Sequence, residues 1–112
     1  MQSLSSATLG SNGLLVIKSP SGGFTMPGAT SIVTSSDLDS TGGGLRNGSN
    51  SFFLIHSTTG FVVDQDYDTD DDGILELPGG AEVIDSVSWK GRNFEDDNAY
   101  GTVQLTQSNS SP

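Results

Sequence analysis

The stretch Ala81-Glu82-Val83-Ile84-Asp85-Ser86-Val87-Ser88-Trp89, entered from the turn Pro78-Gly79-Gly80, decides how this chain is read. Val, Ile and Trp fit a pleated, half-buried surface, and Pro-Gly-Gly ends whatever precedes them. A two-residue period places Ala81, Val83, Val87 and Trp89 on one face, with Asp85 among them. A carboxylate on an apolar face needs a partner. One reading of Asp85 is a side chain bonded to backbone at a bend of the strand. The other pairs it with Lys18, on the Leu14/Val16 face of its own run, where a third acid at close range would permit an isopeptide crosslink.

Outward from this strand the apolar runs stay short. Residues 14–18, 30–34, 51–56, 61–64, 81–89 and 101–106 read as strands. Between them stand Ser19-Pro20-Ser21-Gly22-Gly23, Thr41-Gly42-Gly43-Gly44 and Asn47-Gly48-Ser49-Asn50. In these clusters Gly supplies positive φ, while Asn and Ser bond their own backbone. No window keeps a helical period; a single turn is expected around 35–39. The pattern predicts an all-β sandwich in one domain spanning 1–112, with polar terminal segments at 1–13 and 107–112.

Composition narrows the class of function. The 112 residues carry a net charge of −10, with Lys18, Arg46, Lys90 and Arg92 as the only fixed cations. That balance excludes a nucleic-acid footprint and disfavours anionic membrane surfaces. No apolar stretch is long enough to insert in a membrane, and there is no cysteine for disulfides or thiolate metal sites. The opening Met1-Gln2-Ser3-Leu4-Ser5-Ser6 lacks the basic and apolar regions of a signal peptide, so either a signal has been removed or the chain is a piece of a longer precursor.

Nine of the fourteen carboxylates fall between Asp64 and Asp85. Their centre is Asp66-Tyr67-Asp68-Thr69-Asp70-Asp71-Asp72-Gly73-Ile74-Leu75-Glu76, with acids at alternate positions ahead of a glycine. Such spacing suits a hard cation, because Ca²⁺ takes six to eight oxygens at about 2.3–2.6 Å. On the twelve-residue EF-hand frame Asp68, Asp70 and Asp72 take positions one, three and five. Gly73 takes the sixth, the Ile74 carbonyl the seventh and Glu76 the ninth. Gly79 stands where a bidentate Glu is required, so the run is not an EF-hand but a free-standing Asp-rich loop, with Asp66 or Asp64 completing the shell. The expected affinity is in the weaker extracellular range, about 10⁻⁴–10⁻³ M or somewhat tighter. The plainer alternative is a solvated acidic loop that holds ions loosely.

Other chemistry finds no constellation. His56 is the only histidine, and no Ser lies in a Gly-x-Ser-x-Gly context. The acids share one loop instead of facing each other across an aromatic cleft, so glycoside hydrolysis is not indicated. Trp89 reads as core or sheet edge. Asn47-Gly48-Ser49 and Asn109-Ser110-Ser111 fit the glycosylation pattern at Asn47 and Asn109, a weak signal in a Ser-rich chain.

The order Leu45-Arg46-Asn47-Gly48-Ser49, then Phe52-Phe53-Leu54-Ile55, a loop, and Glu82 through Trp89 resembles the lamin-tail domain family. There an L-x-N-G turn precedes one strand, and a V-V-D-S-V-x-W/Y strand follows. It is most similar to secreted bacterial members with an Asp-rich insert, here Asp66 to Leu75; Leu9-Gly10-Ser11-Asn12-Gly13-Leu14 also fits. The resemblance implies an immunoglobulin-like antiparallel β-sandwich with a structural or binding role, exported, and without catalytic residues. Members usually open with a strand of the type E-[FY]-[IV]-E-L, which this chain lacks before Leu14. A sandwich short of a strand leaves backbone groups unpaired, and a strand from another copy would satisfy them. Residues 102–106 suit such a donor, and equally suit pairing within their own chain. Two functions follow as expectations: an extracellular, Ca²⁺-stabilised subunit assembling with other copies of itself, or a Ca²⁺-dependent glycan- or protein-binding module.

Overall fold

The computed structural model describes residues 1–39, 48–91 and 97–106. The chain divides into two compact units, Met1–Arg46 and Asn47–Pro112. Asn47, Asn109, the triple glycine 42–44 and the tail 107–112 lie outside the described residues.

In the first unit β1 (Leu15–Lys18) pairs with β2 (Ser31–Thr34) in parallel, Leu15 opposite Ser31 and Lys18 opposite Thr34. Parallel neighbours need a crossover of about a dozen residues, and 19–30 supplies it without a helix. Asn12 sets the entry to β1: its Oδ1 accepts from Leu14 N at 3.1 Å while its Nδ2 donates to Thr30 Oγ1 at 2.8 Å. Ser35, the cap of the 3₁₀ turn Ser36–Leu38, accepts from Asp37 N at 3.3 Å, so the turn expected there forms.

In the second unit β3 (Asn50–Ser57) and β4 (Ala81–Lys90) form an antiparallel pair, and β5 (Val103–Thr106) lies parallel to β4 on its other side. The all-β expectation holds. Antiparallel pairing holds only for β3–β4, since β1–β2 and β4–β5 are parallel, and the two sheets belong to different units.

Two corrections follow from local chemistry. Residues 61–64 form no strand: the Phe61 ring meets Tyr67 edge-on at 5.3 Å, Val62 N donates to the Tyr67 hydroxyl at 2.9 Å, and Asp64 adopts φ 63°. A turn built on one tyrosine takes the backbone donor a ladder would have used. The single apolar face of β4 is also interrupted. Leu54 stands opposite Asp85 but Ile55 opposite Val83, leaving Ile84 as the extra residue of a bulge. Asp85 lies at this bulge, exposed, its Oδ1 accepting from Ser86 N at 2.8 Å, as a carboxylate at a strand bend should. Lys18 Nζ donates to Gly22 O at 3.3 Å.

Beyond the bulge the second sheet has two unlike faces. Phe52, Val87 and Val103 form one cross-strand row, and Trp89 and Leu105 continue it, with Phe52 and Trp89 ring centroids 5.4 Å apart. The opposite face carries Ser51, Ser86 and Ser88, the latter two buried. Among the described residues no large apolar side chain is buried; the buried positions are Ser35, Asp68, Ser86 and Ser88. Polar contact, more than apolar burial, therefore organises the site.

Candidate metal centre

The acidic run lies in the connection between β3 and β4, whose ends are tied by Thr58 N to Gly80 O at 3.1 Å and Thr59 Oγ1 to Gly79 O at 3.2 Å. The sequence folds it on itself by short-range bonds. Asp66 Oδ1 accepts from Asp68 N at 3.0 Å, and Asp72 Oδ1 accepts from Ile74 N at 2.8 Å, two carboxylates each closing a turn two residues on. Asp71 and Gly73 take left-handed backbone, φ 56° and 87°. Asp and Gly tolerate that region better than other residues. Glu76 closes the loop, its Oε2 accepting from Thr69 N at 2.7 Å and Thr69 Oγ1 at 3.1 Å, while its own N donates to Tyr67 O at 2.6 Å.

These bonds converge one carboxylate oxygen each from Asp68, Asp70, Asp72 and Glu76 within 4.8 Å of one another. Two oxygens on opposite sides of a Ca²⁺ ion at about 2.4 Å stand about 4.8 Å apart, so the four span the shell of such a cation. A divalent ion would also relieve the repulsion of four like charges. The fit is chemical as well as metric, since a hard cation takes oxygen and the cluster offers nothing else. Of the residues singled out in the sequence, Asp68, Asp70, Asp72 and Glu76 come together. Asp66 lies outside that group, its Oδ1 accepting from Asp68 N, and Ile74, expected to offer its carbonyl, is exposed, with its N–H donating to Asp72.

Asp68 is the pivot. It is 3% exposed, covered by the loop's own backbone and two side chains rather than by a deep interior. Its Oδ1 accepts from Asp72 N at 3.0 Å; its Oδ2 accepts from Gly73 N at 3.0 Å, Asn98 Nδ2 at 3.4 Å and the Tyr100 hydroxyl at 2.5 Å. The Tyr100 hydroxyl, foremost, holds the Asp68 carboxyl below its ordinary value of 3.8; burial opposes this, and the Gly73, Asp72 and Asn98 donors reinforce it. Reciprocally, the Asp68 carboxylate, with burial, raises the Tyr100 hydroxyl above 10.0.

Asn98 and Tyr100 are the site residues that sequence reasoning missed. They lie 30 and 32 positions from Asp68, and nothing in Asn98-Ala99-Tyr100 marks them. Tyr100 ties the loop to the sheet, since its N donates to Ser51 Oγ at 3.2 Å. Beside this strut lies an open cleft of about 540 Å³ whose walls include Ser49, Asn50, Ser51, Asp71, Asn98 and Tyr100. His56 stands elsewhere, exposed on β3 opposite Glu82. Trp89 is half-buried on the central strand β4, paired with Asn50 and Leu105, its Nε1 donating to Gly48 O at 2.9 Å.

No protein-family model, no curated protein and no solved structure matches this chain.

Proposed function

We propose that this chain is a non-catalytic extracellular structural protein, a subunit that assembles with copies of itself by sharing β-strands and is stabilised by Ca²⁺. The observation that carries the reading is the burial pattern: none of the large apolar side chains among the described residues is buried, while Leu54, Ile84, Val87, Val103 and Leu105 are exposed on or beside one sheet. Burial of apolar surface, at about 25 cal/mol per Å², is the main force that holds a domain together. A subunit that leaves this surface open gains stability when another copy covers it. Its sheets also end in edge strands, β3 and β5 in one and β1 and β2 in the other, whose outer backbone groups can take a further strand. The cation belongs to the same reading, because the four clustered carboxylates lie in a unit with little apolar burial to offset their repulsion. The lamin-tail-like, immunoglobulin-like sandwich is part of this proposal as the arrangement such subunits would share.

A second reading, a Ca²⁺-dependent module for a glycan or protein, is favoured by the cleft beside the loop. Hydroxyls, carboxamides and the carboxylates of Asp71 and Asp97 line it, with the Tyr100 ring as an apolar patch, a set suited to sugar hydroxyls. Electron microscopy with light scattering, in millimolar calcium and again after chelation, separates the two. Filaments or regular arrays that dissolve on chelation are expected for the subunit. Monomers at all concentrations, with saturable glycan binding lost on chelation, would replace it by the module.

A further inference from the structure

We infer that Asn12-Gly13 is a self-modifying site. The backbone nitrogen of Gly13 closes on the Asn12 carboxamide, ammonia leaves, and hydrolysis of the succinimide installs aspartate or isoaspartate ahead of β1. The inference goes beyond the assembly reading and stands apart from the cation.

Asn12 and Gly13 lie exposed in the turn that leads into β1, within reach of water. The Asn12 side chain folds back over the following peptide, its Oδ1 accepting from Leu14 N at 3.1 Å. That N–H is placed to stabilise the negative charge the oxygen gains when the carboxamide carbon becomes tetrahedral. Nδ2, the group that must leave, donates to Thr30 Oγ1 at 2.8 Å and to Gly28 O at 3.4 Å. A hydroxyl both accepts and donates, so Thr30 can turn its proton to the nitrogen once the tetrahedral carbon restores the nitrogen's lone pair. Gly13 supplies the nucleophile. It adopts φ 78°, and no atom beyond its chain neighbours lies within 4 Å of where a Cβ would stand. Its peptide is therefore free to rotate towards the carboxamide. The restraint on it is the bond from Gly13 N to Gly10 O at 2.8 Å, which must open first.

The step balances without oxidant or reductant. Gly13 N gives its proton to a solvent base and bonds to Asn12 Cγ. The bond from Cγ to Nδ2 breaks, and the nitrogen leaves as ammonia with a proton from Thr30, which regains one from water. One water then opens the ring, at Cγ to give aspartate or at the backbone carbonyl to give isoaspartate. Leu14 O accepts from both Gly10 N at 2.9 Å and Ser31 N at 3.1 Å, joining this turn to β2. Isoaspartate lengthens the main chain by one carbon and displaces that carbonyl. Aspartate sets a carboxylate oxygen where Nδ2 met Gly28 O. Either product loosens the β1–β2 entry.

Asn12 is the only asparagine in tryptic peptide 1–18, so mass spectrometry reads the exchange of NH₂ for OH there after incubation in mildly alkaline buffer. The folded protein should convert at least as fast as the same protein in denaturant, a comparison that needs no variant to fold. Thr30→Val should slow the folded protein about fivefold, the scale of one hydrogen bond, and Thr30→Ser should keep the parent rate. In denaturant all three should convert alike. A folded parent slower than the denatured one, and faster when Thr30 becomes Val, means that these bonds guard the carboxamide, and overturns the site. A folded rate indifferent to Thr30→Val overturns the part given to Thr30. Brief trypsin treatment of folded, converted protein should cut after Lys18 severalfold faster than that of fresh protein; equal cutting overturns the loosening.

Discussion

The loop Asp66–Glu76 and the strand β5 invert the usual relation between regular structure and order. The loop has no helix or strand, yet its Asp66, Asp68, Asp72 and Glu76 carboxylates accept from five of its own backbone N–H groups, and it holds the one buried acid among the described residues. The strand has a regular ladder, yet none of its four residues is buried. The difference teaches that in this unit hydrogen bonds to carboxylates position the backbone more firmly than sheet membership does. A buried carboxylate that loses its donors costs far more than an exposed side chain that loses a neighbour.

The largest test of that contrast is the cation. With calcium at about a hundredfold excess over its dissociation constant, mass action stabilises the folded state by about 2.7 kcal/mol, a rise in melting temperature on the order of 10 °C. Asp70→Ala with Asp72→Ala should abolish the rise; a parent protein that melts identically in calcium and in chelator removes the metal centre. Next in size is the hydrogen bond between Tyr100 and Asp68. Tyr100→Phe and Asp68→Asn should each lower the melting temperature by about 5 °C, and the double variant by clearly less than their sum, because both remove one bond. Additive losses would mean the two residues act separately.

Acid and alkali sharpen the same point. The Asp68 carboxyl is depressed, so its contribution is complete above about pH 4 and is lost as pH falls through the lowered value. Tyr100 is raised, so its contribution is complete below about pH 10 and is lost as pH rises through the raised value. Melting curves from acid to alkali should therefore show Tyr100→Phe flattening the alkaline limb and Asp68→Asn the acid limb; unchanged limbs would separate the loop from stability. The smallest effect belongs to the strand. Val103→Lys with Leu105→Lys should leave the melting temperature of the dilute protein within about 2 °C while abolishing assembly, as substitutions at exposed positions do. A large loss of stability would show that these side chains act as a core.

Much of the sheet was legible because it rests on local signals. The run 81–89 became β4 (Ala81–Lys90), and 51–56 and 101–106 became β3 and β5 within a few residues. The run 61–64 failed because Tyr67, several residues on, captures its backbone and ring. The bulge at Ile84 was invisible to a two-residue period, since one extra residue leaves no mark in composition. The carboxylate cluster was legible in Asp68, Asp70, Asp72 and Glu76, whose spacing within one loop constrains their approach. Asp66 shares the alternation but lies outside the cluster of four, with its Oδ1 accepting from Asp68 N, and nothing in the alternation alone separates it from the others.

By itself the sequence determined the all-β class, the acidic loop and the acids that meet in it. Each depends on neighbours within a few positions, where side-chain alternation, turn residues and carboxylate capping act directly. Tertiary structure alone decided the parallel partners of β1 and β4, the serine face, and Tyr100 and Asn98 as the donors that fix Asp68. Those depend on which distant segments reach the same place, and a hydroxyl 32 residues away from its carboxylate carries no sign of its partner until the chain has closed around both.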